Sequence, residues 1–80
     1  MPVGSVSLFF RIPLQEIGYV RAVLEGHEGL ATVRSADPDR GEIEWLVPEP
    51  REAEARALAA ALRAETGMVE IPRPGDWNAI

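Results

Sequence analysis

The apolar residues of this chain recur with two different spacings, one typical of strands and one typical of helices, and the order of these segments limits the folds that the chain can adopt. Residues 5–12 alternate in polarity with a period of two, which is typical of a strand with one buried side. Pro13 ends this strand because proline cannot donate to a sheet ladder. From Leu14 the apolar residues recur every three or four positions, which predicts an amphipathic helix directly after the strand. The face of the first strand predicted to be buried carries Val6, Leu8, Phe10 and Ile12, and the apolar stripe of the helix carries Leu14, Ile17, Val20, Val23 and Leu24.

The second half of the chain repeats the change of period. Residues 30–36 and 41–47 are predicted to form a hairpin around the turn-rich segment 37–41. The residues predicted to face inward are Ala31 and Val33 on its first strand and Ile43, Trp45 and Val47 on its second. The alanine-rich segment after Pro50 predicts a helix to about Ala64, and Gly67 ends it. Residues 68–71 predict a short last strand, with Val69 and Ile71 facing inward.

The resulting order, β-α-β-β-α-β, predicts an α+β fold of the ferredoxin-like type. We expect a four-stranded antiparallel sheet in the order 4-1-3-2, with both helices on one face. One domain spans residues 1–72, and residues 73–80 form a Pro-rich tail.

Composition excludes several classes of function. The chain has 80 residues, a formal net charge of −5 and no cysteine, which excludes disulfides and thiol chemistry. No apolar run is long enough to span a membrane, and we expect a cytoplasmic protein. All basic residues are arginine, a composition that favours a GC-rich source and is compatible with a thermophilic one.

The sheet face away from the helices is the predicted interaction surface. Most residues of this predicted surface lie on the strands. The exception is Trp77 in the tail, which either packs on its own domain or docks on a neighbour. Arginine and glutamate on adjacent strands are expected to pair there as a solvated lattice, unless a dimer or another partner covers the face. The predicted surface comprises Phe9, Arg11, Arg34, Glu42, Glu44, Leu46, Met68 and Trp77.

The same face argues against RNA binding. RNA-recognition motifs share this order of elements and stack bases on aromatic residues of the first and third strands. Phe9 occupies one such position, but Glu42 and Glu44 occupy the others. Carboxylates on a chain of net charge −5 repel phosphate, so we expect no nucleic-acid partner.

No catalytic or metal-binding constellation is present. His27 is the only histidine, and we interpret it as a surface residue at a helix end. Glu42 and Glu44 lie about 7 Å apart on a flat strand surface, which does not supply the pocket that paired carboxylates need for acid–base work. We therefore predict a protein that is not an enzyme and needs no cofactor or metal.

The segment from Gln15 to Leu24 resembles the start of the first helix in ACT domains, small regulatory modules of ferredoxin-like fold. Gly18 matches the glycine that lets an amino acid approach the backbone between subunits in that family, whereas Gln15 stands where Asp is usual. The resemblance implies a sensor that binds an amino acid or small anion at Gln15, Glu16 and Gly18.

Residues 9–71 also resemble a family of short, uncharacterised bacterial proteins. The matching residues are Arg11-Ile12-Pro13, Leu24-Glu25, Glu28-Gly29-Leu30-Ala31, Val33-Arg34, and Asp37 followed by Gly41. From the residues themselves we predict a non-enzymatic interaction or regulatory module that self-associates, with a dimer favoured. The amino-acid sensor is the second hypothesis and an enzyme is the third. An RNA-binding module is a further alternative that the acidic charge disfavours.

Overall fold

A four-stranded antiparallel sheet carries the fold in the computed structural model, which describes residues 4–73. The strands are β1 (Ser5–Arg11), β2 (Thr32–Asp37), β3 (Glu42–Pro48) and β4 (Val69–Ile71), and the helices are α1 (Ile17–Glu25) and α2 (Glu52–Thr66). Single 3-10 turns precede α1, α2 and β3. Trp77 and all but the first residue of the predicted tail lie outside the described residues.

The sheet order is β2-β3-β1-β4, and each neighbouring pair is antiparallel. This confirms the predicted α+β fold and its strand order, and it is consistent with a ferredoxin-like arrangement. β1 and β3 occupy the centre of the sheet and are its longest strands, with seven residues each. The two central strands pair along seven residues, from Ser5 opposite Pro48 to Arg11 opposite Glu42.

The hydrophobic core lies between the sheet and the helices. Trp45 is fully buried on β3, and its ring lies 4.6 Å, centroid to centroid, from the ring of Phe10 on β1. Val20 and Leu24 reach this core from α1, and Leu62 reaches it from α2. The inward residues predicted for β1, β2 and β3 are confirmed: Val6, Leu8, Phe10, Ile12, Ala31, Val33, Ile43, Trp45 and Val47 all belong to this cluster or pack against it.

The phase predicted for β4 is wrong. Met68 is 1 % exposed in the core, and Glu70 pairs with Phe10, which places Glu70 on the helix side. Its carboxylate there accepts from Arg56 of α2 at 3.1 Å. Val69 and Ile71 consequently point to the opposite face. With only three residues, hydrophobicity alone did not fix the orientation of this strand, and the large Met68 side chain fills the core instead.

Leu14 also differs from expectation at the start of α1. Leu14 is 58 % exposed, so it does not extend the apolar stripe, because the chain runs through a 3-10 turn (Leu14–Glu16) before the α-helix begins. A Cβ at Gly18 would meet no heavy atom within 4 Å. Among the described residues, nothing approaches Gly18 closely.

Candidate functional site

The face of the sheet away from the helices, here called the open face, is the best-defined candidate surface. The residues that the pairing registers place on it include Ser7, Phe9, Arg11, Thr32, Arg34, Glu42, Glu44, Leu46, Val69 and Ile71. Phe9, Arg11, Arg34, Glu42, Glu44 and Leu46 lie there as predicted. Met68 does not, because it belongs to the core.

Two ion pairs cross the open face between directly paired strand positions. Arg34 on β2 lies opposite Glu44 on β3, and Arg34 Nη2 is 2.7 Å from Glu44 Oε1. Arg11 on β1 lies opposite Glu42 on β3, and Arg11 Nη2 is 2.7 Å from Glu42 Oε2. The predicted cross-strand pairing of arginine with glutamate is therefore confirmed.

The predicted solvation of these carboxylates is wrong. Glu44 is 1 % exposed and Glu42 is 5 % exposed, whereas the side chains of Arg34 and Arg11 are 45 % and 53 % exposed. Both oxygens of Glu44 are engaged, since Ser7 Oγ donates to Oε2 at 2.6 Å while Arg34 holds Oε1. Bonds of this kind offset the cost of burying a charge. Each pair thus buries its carboxylate and leaves a positioned guanidinium in reach of solvent.

Phe9 is largely covered although it lies on the open face. It is 3 % exposed, and the guanidinium carbon of Arg73 lies 5.4 Å from its ring centroid, within the range of a cation–π contact. Base stacking requires an accessible ring. Phe9 offers very little ring surface here, and the prediction against RNA binding stays a prediction.

The residues implied by the ACT resemblance lie together at the entrance to α1. Gln15 and Glu16 belong to the 3-10 turn, and Gly18 lies in the first turn of the helix, with open space around it. Gln15 and Gly18 are exposed, and Glu16 is partly buried. The implied amino-acid site stays a prediction. Within residues 4–73 no group of three metal-ligating side chains comes together, and His27 lies exposed after α1.

A hydrogen bond links α1 to α2 beside this turn. Tyr19 Oη donates to Glu65 Oε2 at 2.7 Å, which favours the protonated phenol and raises the pKa of Tyr19 above its ordinary value. The negative charge of Glu65 acts in the same direction, and Glu16 makes a smaller contribution. The sequence analysis did not identify this pair, because the two residues are 46 positions apart in the chain.

Glu65→Gln is expected to lower the pKa of Tyr19 toward its ordinary value, because the carboxylate charge that disfavours phenolate is lost. Tyr19 is the only tyrosine, so an ultraviolet titration at alkaline pH reports on it directly. Glu16→Gln is the matched control and is expected to lower this pKa less. Identical titration curves for Glu65→Gln and the unsubstituted protein would contradict the hydrogen bond.

The fold defines a small α+β module. Residues 10–66 match the family described as a domain of unknown function, DUF4911, and the chain belongs to that family. The match begins within β1 and ends at the last residue of α2. The predicted resemblance to an uncharacterised family is confirmed, whereas the resemblance to ACT domains stays a prediction.

The other comparisons add no relative. No curated protein and no solved structure matches this chain. Among residues 4–73, neither helix is long and apolar enough to cross a membrane.

Proposed function

We propose that this protein is a non-enzymatic interaction module that self-associates, with a dimer as its working form. The observation that carries the proposal is the position of β2, a six-residue strand at the edge of the sheet. Within the described part of the chain, no strand pairs with its outer side. An unpaired strand edge presents a row of backbone N–H and C=O groups that a further strand can bind.

The small size of the domain supports the same proposal. A chain of 80 residues buries a smaller fraction of its surface on folding than a larger domain does. Small domains therefore gain stability from a metal, disulfides or a second subunit. Disulfides are excluded because the sequence contains no cysteine. Association with a second copy would extend the buried surface.

The exposed part of the open face is the alternative contact surface for the second copy. Arg11 and Arg34 are already oriented by buried carboxylates, and Leu46 lies partly exposed between the strands that carry them. A side chain that is fixed before binding loses less conformational entropy in an interface. Arginine is also enriched at protein interfaces. These features favour a polar interface with few apolar anchors.

Sedimentation equilibrium over a wide concentration range tests the proposal. The expected result is a weight-average mass that rises from the monomer value of 8.8 kDa toward twice that value. Leu14→Glu serves as the comparison, because Leu14 has the largest exposed fraction among the large hydrophobic residues of the described part of the chain and belongs to the 3-10 turn before α1, not to β2 or the open face. We expect this variant to dimerise normally. A strictly monomeric protein at the highest concentration would refute self-association.

A further inference from the structure

The strand β2 forms one edge of the sheet. Part of it has a regular pairing register, and it lies next to a helix. Thr32 to Ser35 pair with β3 in unbroken register, and the register shifts between Ser35 and Asp37. The opposite edge of the sheet, β4, has only three residues. The segment from Thr32 to Ser35 is thus the longest regular stretch of outer edge in the described sheet.

A groove runs between this edge and α1. Its cavity of about 190 Å³ is lined by Arg21, Leu24, Glu25, Ala31 and Val33. Arg21 and Glu25 are both exposed, and within residues 4–73 neither takes part in an ion pair. They are four positions apart on α1, which places them on the same side of the helix. The rim of the groove therefore carries one positive and one negative group, one helical turn apart.

We infer that the β2 edge joins a second copy of this chain, so that two sheets form one continuous eight-stranded sheet. This inference rests on the self-association proposed above and names the surface that performs it. A two-fold axis perpendicular to the sheet brings the two β2 strands together in antiparallel orientation and leaves the helices of both copies on the same face. Directly opposed residues in such a pair share a face, so the axis must pass through a residue position.

The charges select the register. An axis at Arg34 would place two guanidinium groups opposite each other, which is unfavourable. An axis at Val33 places Val33 opposite itself on the helix side and Thr32 opposite Arg34 of the second copy. Val33 already lines the groove and packs against the core. The register centred on Val33 therefore extends the apolar layer across the junction.

The rim of the groove is self-complementary in this arrangement. The two-fold axis runs the two α1 helices antiparallel beside each other, so Arg21 of one copy faces Glu25 of the other, and the pair occurs twice. An isologous interface requires complementary groups at reciprocal positions of one surface. Arg21 and Glu25 meet that requirement, and this charge complementarity identifies a second copy as the occupant of the edge.

Charge reversal at the rim tests the inference by sedimentation. Arg21→Glu and Glu25→Arg each place like charges opposite each other twice, and we expect each to weaken dimerisation about tenfold. The double variant Arg21→Glu, Glu25→Arg restores opposite charges and is expected to dimerise like the unsubstituted protein. Arg63→Glu is the control, because Arg63 carries the same charge change on the last turn of α2, away from the edge. Circular dichroism of every variant verifies folding.

The outcomes separate this inference from the proposed function. A monomeric unsubstituted protein overturns both. A dimer that is insensitive to all charge reversals overturns the edge inference and leaves self-association intact. A dimer that Leu46→Glu dissociates, while the Arg21 and Glu25 variants do not, assigns the interface to the open face instead. Loss of dimerisation in both single variants without recovery in the double variant overturns the reciprocal pairing.

Discussion

Arg34→Ala is expected to lower the free energy of unfolding by about 2–3 kcal/mol at neutral pH. The cause is the carboxylate that remains, because Glu44 is 1 % exposed and would keep only the bond from Ser7. A buried charge without its partner costs far more than the pair contributes when intact. The expected value lies at the low end of such effects, since removal of a side chain that is 45 % exposed also admits water to the carboxylate. Urea unfolding followed by circular dichroism measures the difference.

Two further variants separate charge burial from simple loss of contact. Arg40→Ala removes an exposed pair with Asp37, in which the closest atoms are 3.9 Å apart, and is expected to change stability by less than about 0.5 kcal/mol. Replacement of both partners, Arg34→Ala with Glu44→Met, removes the buried charge and is expected to recover most of the lost stability. Equal losses for Arg34→Ala and Arg40→Ala would show that the burial of Glu44 carries no energetic cost.

Local periodicity was sufficient to predict the architecture. The alternation in β1 and β3 predicts which face of each strand meets the helices, and this assigns the inward-facing residues at the centre of the sheet. Trp45 and Phe10 were placed in the core on this basis alone, and both are there. Both helices were predicted because the spacing of apolar residues changes at Pro13 and again after Pro50.

The orientation of β4 and the state of the open face required tertiary information. A three-residue strand contains too few alternations to specify its phase, and packing of Met68 into the core decided it. For Glu42 and Glu44, alternation gave the correct face, but a period of two carries no information on how deeply a residue on the outer face is buried. That burial depends on the neighbours contributed by other strands, namely Ser7 and Arg34 around Glu44.

The turn before β3 makes a close backbone contact that its turn-forming residue types do not predict. Gly41 adopts φ +71°, and its carbonyl oxygen accepts from the backbone N–H of Ile12 at 2.9 Å. A Cβ at Gly41 would overlap the carbonyl oxygen of Ile12. Both groups belong to backbone that the hydrogen bond holds in place, so neither can move away without losing it.

Gly41→Ala is therefore expected to lower the free energy of unfolding by about 2–4 kcal/mol, through backbone strain at positive φ and the overlap with Ile12. Gly67→Ala is the matched control, since Gly67 has φ +82° but its Cβ would lie 3.8 Å from the nearest atom, Cγ of Pro13. That variant carries the conformational cost without the overlap, about 1 kcal/mol. Thermal and urea unfolding of both variants gives the difference, which isolates the close approach of Gly41 to Ile12. If the two substitutions destabilise the protein equally, the contact between the turn and the end of β1 is looser than the structure shows.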